Sequence, residues 1–320
     1  MSRLERSRNA FGHSLRDPDS RATKLAGALF GKGFYVRLPY PPTALNEPRY
    51  GYGRPEHRRL AALLERGLDG YEEVLRGFGR YEEDLRAIPL EKQDERDPHW
   101  RNPLLFGLDG VSLYCFARER APRVYLEIGS GNSTRFVDRA RRDGNIEMEM
   151  IAIDPHPRAE VASIVDEPLR QPLETVDLSL LDRVHSGDMV FLDGSHRVFM
   201  NSDVTVFFLD VLPELPPNVL VGIHDIHLPD DYLPRHAGAY LSEQYLLACY
   251  LLAESPWLQT VLPCWYVSKH PRTEGLARSL VPGEETSEDP GGERGSAHLR
   301  AQKHPEGVCF WLLTGERPQR

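Results

Sequence analysis

Paired cysteines, long apolar runs and an excess of basic residues are all missing from this chain of 320 residues. The four cysteines, Cys115, Cys249, Cys264 and Cys309, include no CxxC pair, which argues against a disulfide framework and a structural zinc site. No run reaches the ~18 apolar residues that a membrane span requires. The formal net charge is −9, which disfavours nucleic acid as a partner because phosphate binding requires a basic face.

A secretory signal is also missing from the first residues, MSRLERSRNAFGHSLRD, which are charged throughout and contain no apolar segment. We therefore expect a reducing, cytoplasmic location. Hydrophobic residues make up 40% of the chain and charged residues 27%, which is ordinary for a protein with a buried core. The length suits a catalytic domain of roughly 200 residues with an accessory region.

Composition predicts three regions along the chain. Residues 1–30 are rich in charge, Ser and Asn, which is typical of a disordered or loosely held arm. Residues 31–100 form a helical and irregular accessory region, a cap or a dimerisation element, with two or three helices expected within 57–88. Residues 101–320 form the main domain, with a flexible polar loop at about 282–306.

From residue 108 onward, short apolar runs of strand type alternate with helical segments. The expected strands are RVYLEIG, MEMIAID, DMVFLDG and NVLVGIHD, followed by two final strands, WLQTVLPCWYV and VCFWLLTG. Helices are expected around DGVSLYCFARERA and over 241–255. This alternation predicts an α/β fold with a parallel sheet, in which ligands bind at the carboxyl ends of the strands.

A glycine-rich turn, EIGSGNST, follows the first expected strand, and a helix should begin near Ser133. Without a Cβ atom, Gly129 and Gly131 allow a sharp turn and the close approach of a ligand. Free N–H groups and the dipole at the helix start favour an anionic ligand group. That group is either the methionine carboxylate of S-adenosylmethionine (SAM) or the pyrophosphate of a dinucleotide.

Three residues favour SAM. Glu127 would repel a pyrophosphate, whereas it can accept hydrogen bonds or pair with the ammonium group of SAM. Thr134 stands where the GxGxxG motif of dinucleotide-binding proteins has its third glycine. Asp154 ends the second strand, where a carboxylate accepts the ribose hydroxyls; its alternative role is an exposed turn residue. The predicted cofactor-binding residues are Glu127, Gly129, Ser130, Gly131, Asn132, Ser133, Thr134, Asp154 and Asp193.

The segments EIGSGNST, IDPHP, GDMVFLDGSH, SDVTVFFLDVLPELPPNVLVGIHDIHLPDDY and SEQYLLACYLL resemble bacterial class I methyltransferases of the macrocin O-methyltransferase-like group. The resemblance covers roughly residues 100–270 and the last strand. It implies a Rossmann-like sheet of seven mostly parallel strands with an antiparallel last strand, here with an N-terminal helical extension, and SAM as methyl donor. The chain departs from the group at Asn218, where most members have Gly.

The DGSH segment supplies a candidate general base. Methyl transfer from a sulfonium requires alignment of the reactants and removal of the acceptor's proton. His196 lies three residues after Asp193, and a histidine of pKa near ~6.5 suits proton removal at neutral pH. Alternatively, His196 caps the loop or the next helix. Asp203 either orients this imidazole or stabilises the start of the helix.

The HDIH segment supplies a second acid. Asp193 and Asp225 should emerge side by side, where two carboxylates repel each other unless a positive charge lies between them. The resemblance implies Mg²⁺ at these strand ends, and His224, the third predicted ligand, suits other divalent metals better. Alternatively, Asp225 and His227 hydrogen-bond the loop backbone or the substrate. The predicted catalytic residues are His196, Asp193 and Asp225.

The leading hypothesis is SAM-dependent O-methylation of a hydroxyl on a small-molecule or glycosidic acceptor. Two alternatives are an NAD(P)-dependent oxidoreductase and a non-catalytic SAM-fold binding module. The retained acids and His196 argue against the latter. The segment RYGYGRPEHRR, residues 49–59, either covers the active site or packs on the surface. The acceptor's identity and the oligomeric state, with a homo-oligomer as one option, are left open.

Overall fold

The structure is a computed structural model that describes residues 47–105, 107–157, 163–283 and 307–317. The chain divides into two compact units, residues 1–47 and residues 48–320, and the elements described below all lie in the second. The arm expected at residues 1–30 and most of the loop expected at 282–306 lie outside the described residues.

Seven strands form one sheet. They are Val124–Ile128 (β1), Glu149–Ile153 (β2), Glu167–Leu169 (β3), Met189–Leu192 (β4), Leu220–Ile223 (β5), Leu258–Pro263 (β6) and Phe310–Thr314 (β7). Their order is β3-β2-β1-β4-β5-β7-β6, and β7 alone runs antiparallel to its neighbours β5 and β6. The expected seven-stranded, mostly parallel sheet with an antiparallel last strand is confirmed. Since β1 lies between β2 and β4, the chain reverses its direction of winding there, which is where open sheets bind ligands.

Nine α-helices lie in the described part of the chain. They are Arg58–Glu65 (α1), Leu68–Phe78 (α2), Glu82–Ala87 (α3), Gly107–Arg120 (α4), Asn132–Gly144 (α5), Asp203–Val206 (α6), Glu243–Leu252 (α7), Cys264–Lys269 (α8) and Glu274–Ser279 (α9). Short 3₁₀ turns connect several of them. Within the described residues, none of these helices combines the length and apolar character needed to cross a bilayer.

The N-terminal helices α1–α3 share the hydrophobic core of the sheet. Leu64, Leu75 and Phe78 are each at most 1% exposed and belong to the same buried cluster as the strands. Complete burial of such a side chain stabilises a fold by about 1.5–3 kcal/mol. The helices expected within 57–88 are therefore present, and they pack on the domain that carries the sheet.

Two strand predictions need correction. The run WLQTVLPCWYV is not one strand, because β6 ends at Pro263 and α8 begins at Cys264. Proline has no N–H to donate to a ladder, and the buried apolar residues after it fit a helix as well as a strand. The short strand β3 was not expected; its residues are only partly buried or exposed and give no apolar run.

Candidate active site

The glycine turn lies between the carboxyl ends of three strands. The amide of Gly129 donates to the Ile153 carbonyl at 2.9 Å, and the amide of Asp193 donates to the Ile128 carbonyl at 2.8 Å. Gly129 has φ +88°, and a Cβ atom there would lie 2.0 Å from the Asp193 carbonyl oxygen. A Cβ on Gly131 would meet no atom within 4 Å. The turn is therefore closed on the β4 side and open beside Gly131.

Hydroxyl groups and a buried carboxylate fix the start of α5. Thr134 Oγ1 accepts from the Gly131 amide at 3.0 Å and donates to Glu127 Oε2 at 2.6 Å. Ser133 donates to Glu127 Oε1. Glu127 is fully buried, and burial raises its pKa to about 8 against the opposing effect of these two hydrogen bonds. Through these two bonds Glu127 fixes the turn to the start of α5. A contact between Glu127 and the ammonium group of SAM stays a prediction.

Asp154 lies beside the turn, as expected of a ribose ligand. Ser130 Oγ donates to Asp154 Oδ2 at 2.7 Å, and the amide of His156 donates to Oδ1 at 2.7 Å. Asn132, the first residue of α5, donates to Asn102 Oδ1 at 3.0 Å. The structure therefore brings together the predicted cofactor-binding residues from 127 to 134 with Asp154, and Asp193 joins them through its carbonyl.

His196 lies in the loop after β4, within reach of three carboxylates. Its Nδ1 is 2.7 Å from Glu243 Oε1, and its Nε2 is 3.5 Å from Asp193 Oδ1 and 3.4 Å from Asp225 Oδ2. Burial alone would lower the pKa of His196, but the carboxylates, Glu243 foremost, outweigh burial and raise it to about 9. The imidazole is therefore mainly protonated at neutral pH in this arrangement.

His224 is buried one layer deeper, between two acids. Its Nδ1 is 3.2 Å from Asp193 Oδ1, and its Nε2 is 3.4 Å from Asp109 Oδ2. Burial disfavours the imidazolium, yet Asp193 and Asp109 raise the pKa of His224 well above its usual value. Asp109 lies in α4, and its Oδ1 accepts from the amides of Val308 and Cys309, both at 2.7 Å.

The predicted metal ligands Asp193, Asp225 and His224 are neighbours, but an imidazole lies between the two acids. Nε2 of His196 lies 3.5 Å from Asp193 Oδ1 and 3.4 Å from Asp225 Oδ2, so these two oxygens face an imidazole, and a metal ion at this site stays a prediction. In the described part of the chain, the group whose ligand atoms all lie within 4.8 Å of one another is Asp109, His224 and Cys309, all buried.

Other predicted candidates hold loops in place. The His227 ring packs 4.8 Å from the Trp265 ring, and its amide donates to Gln244 Oε1 at 2.9 Å. Burial lowers the pKa of His227 to about 4, so this ring is neutral. Asp203 accepts from the amide and hydroxyl of Ser195, at 2.6 and 2.5 Å, at the start of α6. Asp203 therefore shapes the loop through Ser195, and among the described contacts it has no hydrogen bond to the His196 imidazole.

The aromatic and basic segment at residues 49–59 packs on the loop that follows β5. The amides of Arg49 and Tyr50 donate to Asp231 Oδ2 at 2.5 and 3.2 Å, and the amide of His57 donates to the Pro229 carbonyl at 3.0 Å. The segment thus supports the loop that begins with Asp225.

Three residues near the site were missed in the sequence: Asn102, Asp109 and Glu243. Each is at most 3% exposed. A polar residue in an otherwise apolar helix was an available signal for Asp109 and Glu243. Neither residue is near its partner in the chain, so nothing local indicates which histidine it contacts.

A family model and several solved structures are similar to parts of this chain. The family model described as a methyltransferase domain matches residues 126–226. No curated protein matches the chain significantly. Among solved structures, the S-adenosylhomocysteine (SAH)-bound methyltransferase PaMTH1 of Podospora anserina is 20% identical, over 57% of this chain and 81% of that one, with a TM-score of 0.36. The O-methyltransferase TomG of Streptomyces achromogenes, in complex with SAM, is 17% identical over 82% and 99%, with a TM-score of 0.35.

These TM-scores are low, so the fold assignment depends on the strand order seen in this chain itself. The matched residues run from β1 to the residue after Asp225, and so include the glycine turn, Asp154 and His196. The match therefore identifies a methyltransferase domain at residues 126–226, and these residues form the central part of the seven-stranded sheet.

Proposed function

We propose that this chain is a class I methyltransferase that transfers the methyl group of SAM to a hydroxyl oxygen of a small-molecule or sugar-containing acceptor. The proposal rests on the position of two groups. The glycine turn and Asp154 lie next to His196, which follows β4 and is surrounded by carboxylates. The Asp193 carbonyl, against which Gly129 packs, joins the two parts. Membership of the macrocin O-methyltransferase-like group is part of the proposal, supported by the position of the DGSH and HDI segments at these ends.

The cofactor half fits SAM by its shape and its donors. The amides at the start of α5 and its dipole favour the methionine carboxylate, and the space beside Gly131 allows the ligand to approach. Asp154 would accept the ribose hydroxyls, and the hydrogen bond from Ser130 Oγ to its carboxylate supports this role. When bound, SAM supplies a methyl group already activated by its sulfonium.

The acceptor half supplies a base. His196, in its neutral form, takes the acceptor's hydroxyl proton on Nε2, and Glu243 lies against the opposite nitrogen. Asp193 and Asp225 flank Nε2 and stabilise the imidazolium that results. A positioned base typically contributes about 10²–10⁴-fold to the rate.

The same cluster favours oxygen over nitrogen as the methyl acceptor. A neutral amine attacks a sulfonium through its lone pair before it loses a proton, whereas a hydroxyl is a poor nucleophile until its proton is removed. Three carboxylates around one imidazole suit the removal of a hydroxyl proton, because they stabilise the imidazolium that results. An oxidoreductase on the same sheet is not favoured, because the methyltransferase match covers the nucleotide-binding half.

The test combines cofactor binding with labelled transfer. We expect calorimetry to show SAH binding to the wild type and to Asp182→Ala, an exposed control, but not to Asp154→Ala. Isotope-labelled SAM incubated with hydroxylated sugars, phenols and alcohols, and with matching amines, should label only hydroxylated compounds. Labelled amines alone would refute O-methylation, and absent SAH binding would refute the cofactor assignment.

A further inference from the structure

Glu243 is a buried carboxylate that no sequence motif identified. It is the first residue of α7, its side chain is 0% exposed, and its Oε1 lies 2.7 Å from His196 Nδ1. The two residues are 47 positions apart in the chain. The inference drawn from this contact rests on the function proposed above, in which His196 is the base.

Backbone hydrogen bonds fix the two partners to each other. The Ser242 amide donates to the His196 carbonyl at 2.8 Å, and the Val198 amide donates to Ser242 Oγ at 2.9 Å. The loop after β4 is therefore tied to the start of α7 at His196 itself and at Val198. These bonds hold the backbones of His196 and Glu243 close enough for their side chains to meet.

Burial of the Glu243 carboxylate destabilises the folded state unless a partner compensates for the loss of water. Its second oxygen, Oε2, is buried and has no hydrogen-bond partner among the described residues. Burial of a carboxylate removes it from water, which destabilises the fold unless partners compensate, and an apolar side chain of similar volume would fill the site more favourably. The first turn of a helix offsets only part of this cost. Within the part of the chain that the structure describes, the contact with His196 is the side-chain hydrogen bond that accounts for a charged group here.

We propose that Glu243 is a positioning residue that accepts a hydrogen bond from Nδ1–H of His196 and so directs the Nε2 lone pair to the acceptor hydroxyl. A histidine whose Nδ1 proton is fixed by a carboxylate has one tautomer and one ring orientation. Nε2 is then the nitrogen without a proton, and its lone pair faces the end of the site where Asp193 and Asp225 lie.

The step balances as follows. The acceptor O–H bond breaks as an N–H bond forms on Nε2, and the oxygen forms a bond to the methyl carbon. The carbon–sulfur bond breaks, and its electron pair remains on sulfur as a neutral thioether. Glu243 keeps its own protonation state throughout and stabilises the imidazolium, which later returns its proton to solvent.

Three variants separate charge, shape and contact. Glu243→Ala removes the acceptor, Glu243→Gln keeps an oxygen of similar reach without charge, and Glu243→Asp keeps the charge on a shorter side chain. We expect kcat to fall roughly 10²-fold or more in Ala and less in Gln and Asp. The Kd of SAH should remain within about twofold in all three. Tyr245→Phe, which removes one hydrogen bond to Asp231 from the same helix, is the matched control.

A double-mutant cycle shows whether Glu243 acts through His196. In a His196→Ala background, Glu243→Gln should have no further effect on kcat, whereas a purely structural role would lower it again by the same factor. Equal losses in both backgrounds would overturn the proposal. So would a Glu243→Ala enzyme with native kcat.

A second measurement needs no acceptor and therefore stands apart from the proposed reaction. Imidazole ¹⁵N spectra of the SAH-bound protein at alkaline pH, assigned by comparison with His196→Ala, should show the Nδ1–H tautomer in the wild type. Glu243→Ala should shift the population to the Nε2–H tautomer. A wild-type spectrum with an unprotonated Nδ1, or a spectrum that Glu243→Ala leaves unchanged, would overturn the inference even if methyl transfer is confirmed.

Discussion

The two halves of the carboxyl edge of the sheet consist of different chemical groups. Beside β1 and β2, the cofactor half consists of glycine backbone, hydroxyl groups and the enclosed carboxylate of Glu127. Beside β4 and β5, the acceptor half surrounds two imidazoles with four acids. The first half is specified by backbone shape and the second by charge. Substitutions in the two halves should therefore fail in different ways.

The largest effect is expected at the contact between the halves. In Gly129→Ala the new Cβ would overlap the Asp193 carbonyl and would require a conformation that L-residues disfavour. We expect the free energy of unfolding to fall by about 2–4 kcal/mol, and SAH binding to weaken at least ~100-fold. Calorimetry and thermal unfolding measure both. Gly131→Ala, whose Cβ meets open space, should unfold at a nearly native temperature.

The next largest effect separates catalysis from binding. His196→Ala should lower kcat by about 10²–10⁴-fold and leave the Kd of SAH within about threefold, because the imidazole belongs to the acceptor half. His185→Ala changes an exposed histidine just before β4, at the end of that strand opposite to His196. It should leave both kcat and the Kd of SAH unchanged. If His196→Ala turned over at the wild-type rate, the base would have to be another group.

A smaller effect is expected from pH. Since the carboxylates around His196 raise its pKa to about 9, kcat/KM should increase roughly tenfold per unit between pH 7 and 8 and level off near 9. The folded pKa is above the unfolded value, so the stability contributed by this group is complete below about pH 6.5. It is lost as pH rises through about 9. Rate profiles and melting temperatures across pH 6–10 test both; a flat rate profile would contradict the raised pKa.

The smallest effect is expected from chelation. The His196 imidazole already lies between Asp193 and Asp225, so dialysis against EDTA should leave the rate within about twofold of the untreated enzyme. A loss of activity that Mg²⁺ or Mn²⁺ restores would show that the imidazole moves aside for a metal ion. The acceptor half would then depend on a cation.

The sequence predicted most of the cofactor half because its signals are local. The glycine turn, the helix start and Asp154 each follow an apolar run that ends at the sheet edge, and the structure places them together. The acceptor half was only partly predictable. Asp193, His196 and Asp225 follow strands, but Asp109 and Glu243 come from helices, and their partners are defined by packing between distant segments.

The errors in the fold have a similar origin. The residues after Pro263 are apolar enough for a strand or a buried helix, and only contact with the neighbouring elements decides between them. The partly polar strand β3 is held by its pairing with β2, which no periodicity within Glu167–Leu169 reveals. Where a segment's conformation depends on a neighbour, its own residues are insufficient to predict it.

The touching backbones at residues 129 and 193 have an evolutionary consequence. Because no side chain separates them, the proposed donor site keeps one fixed spacing from Asp193, which follows β4, and therefore from His196 three residues later. Relatives can therefore differ in the loops downstream of that point, and so bind different acceptors, while the distance between the methyl donor and the base stays the same. Chimaeras that exchange those loops should therefore change which alcohols are accepted while the donor site is inherited intact.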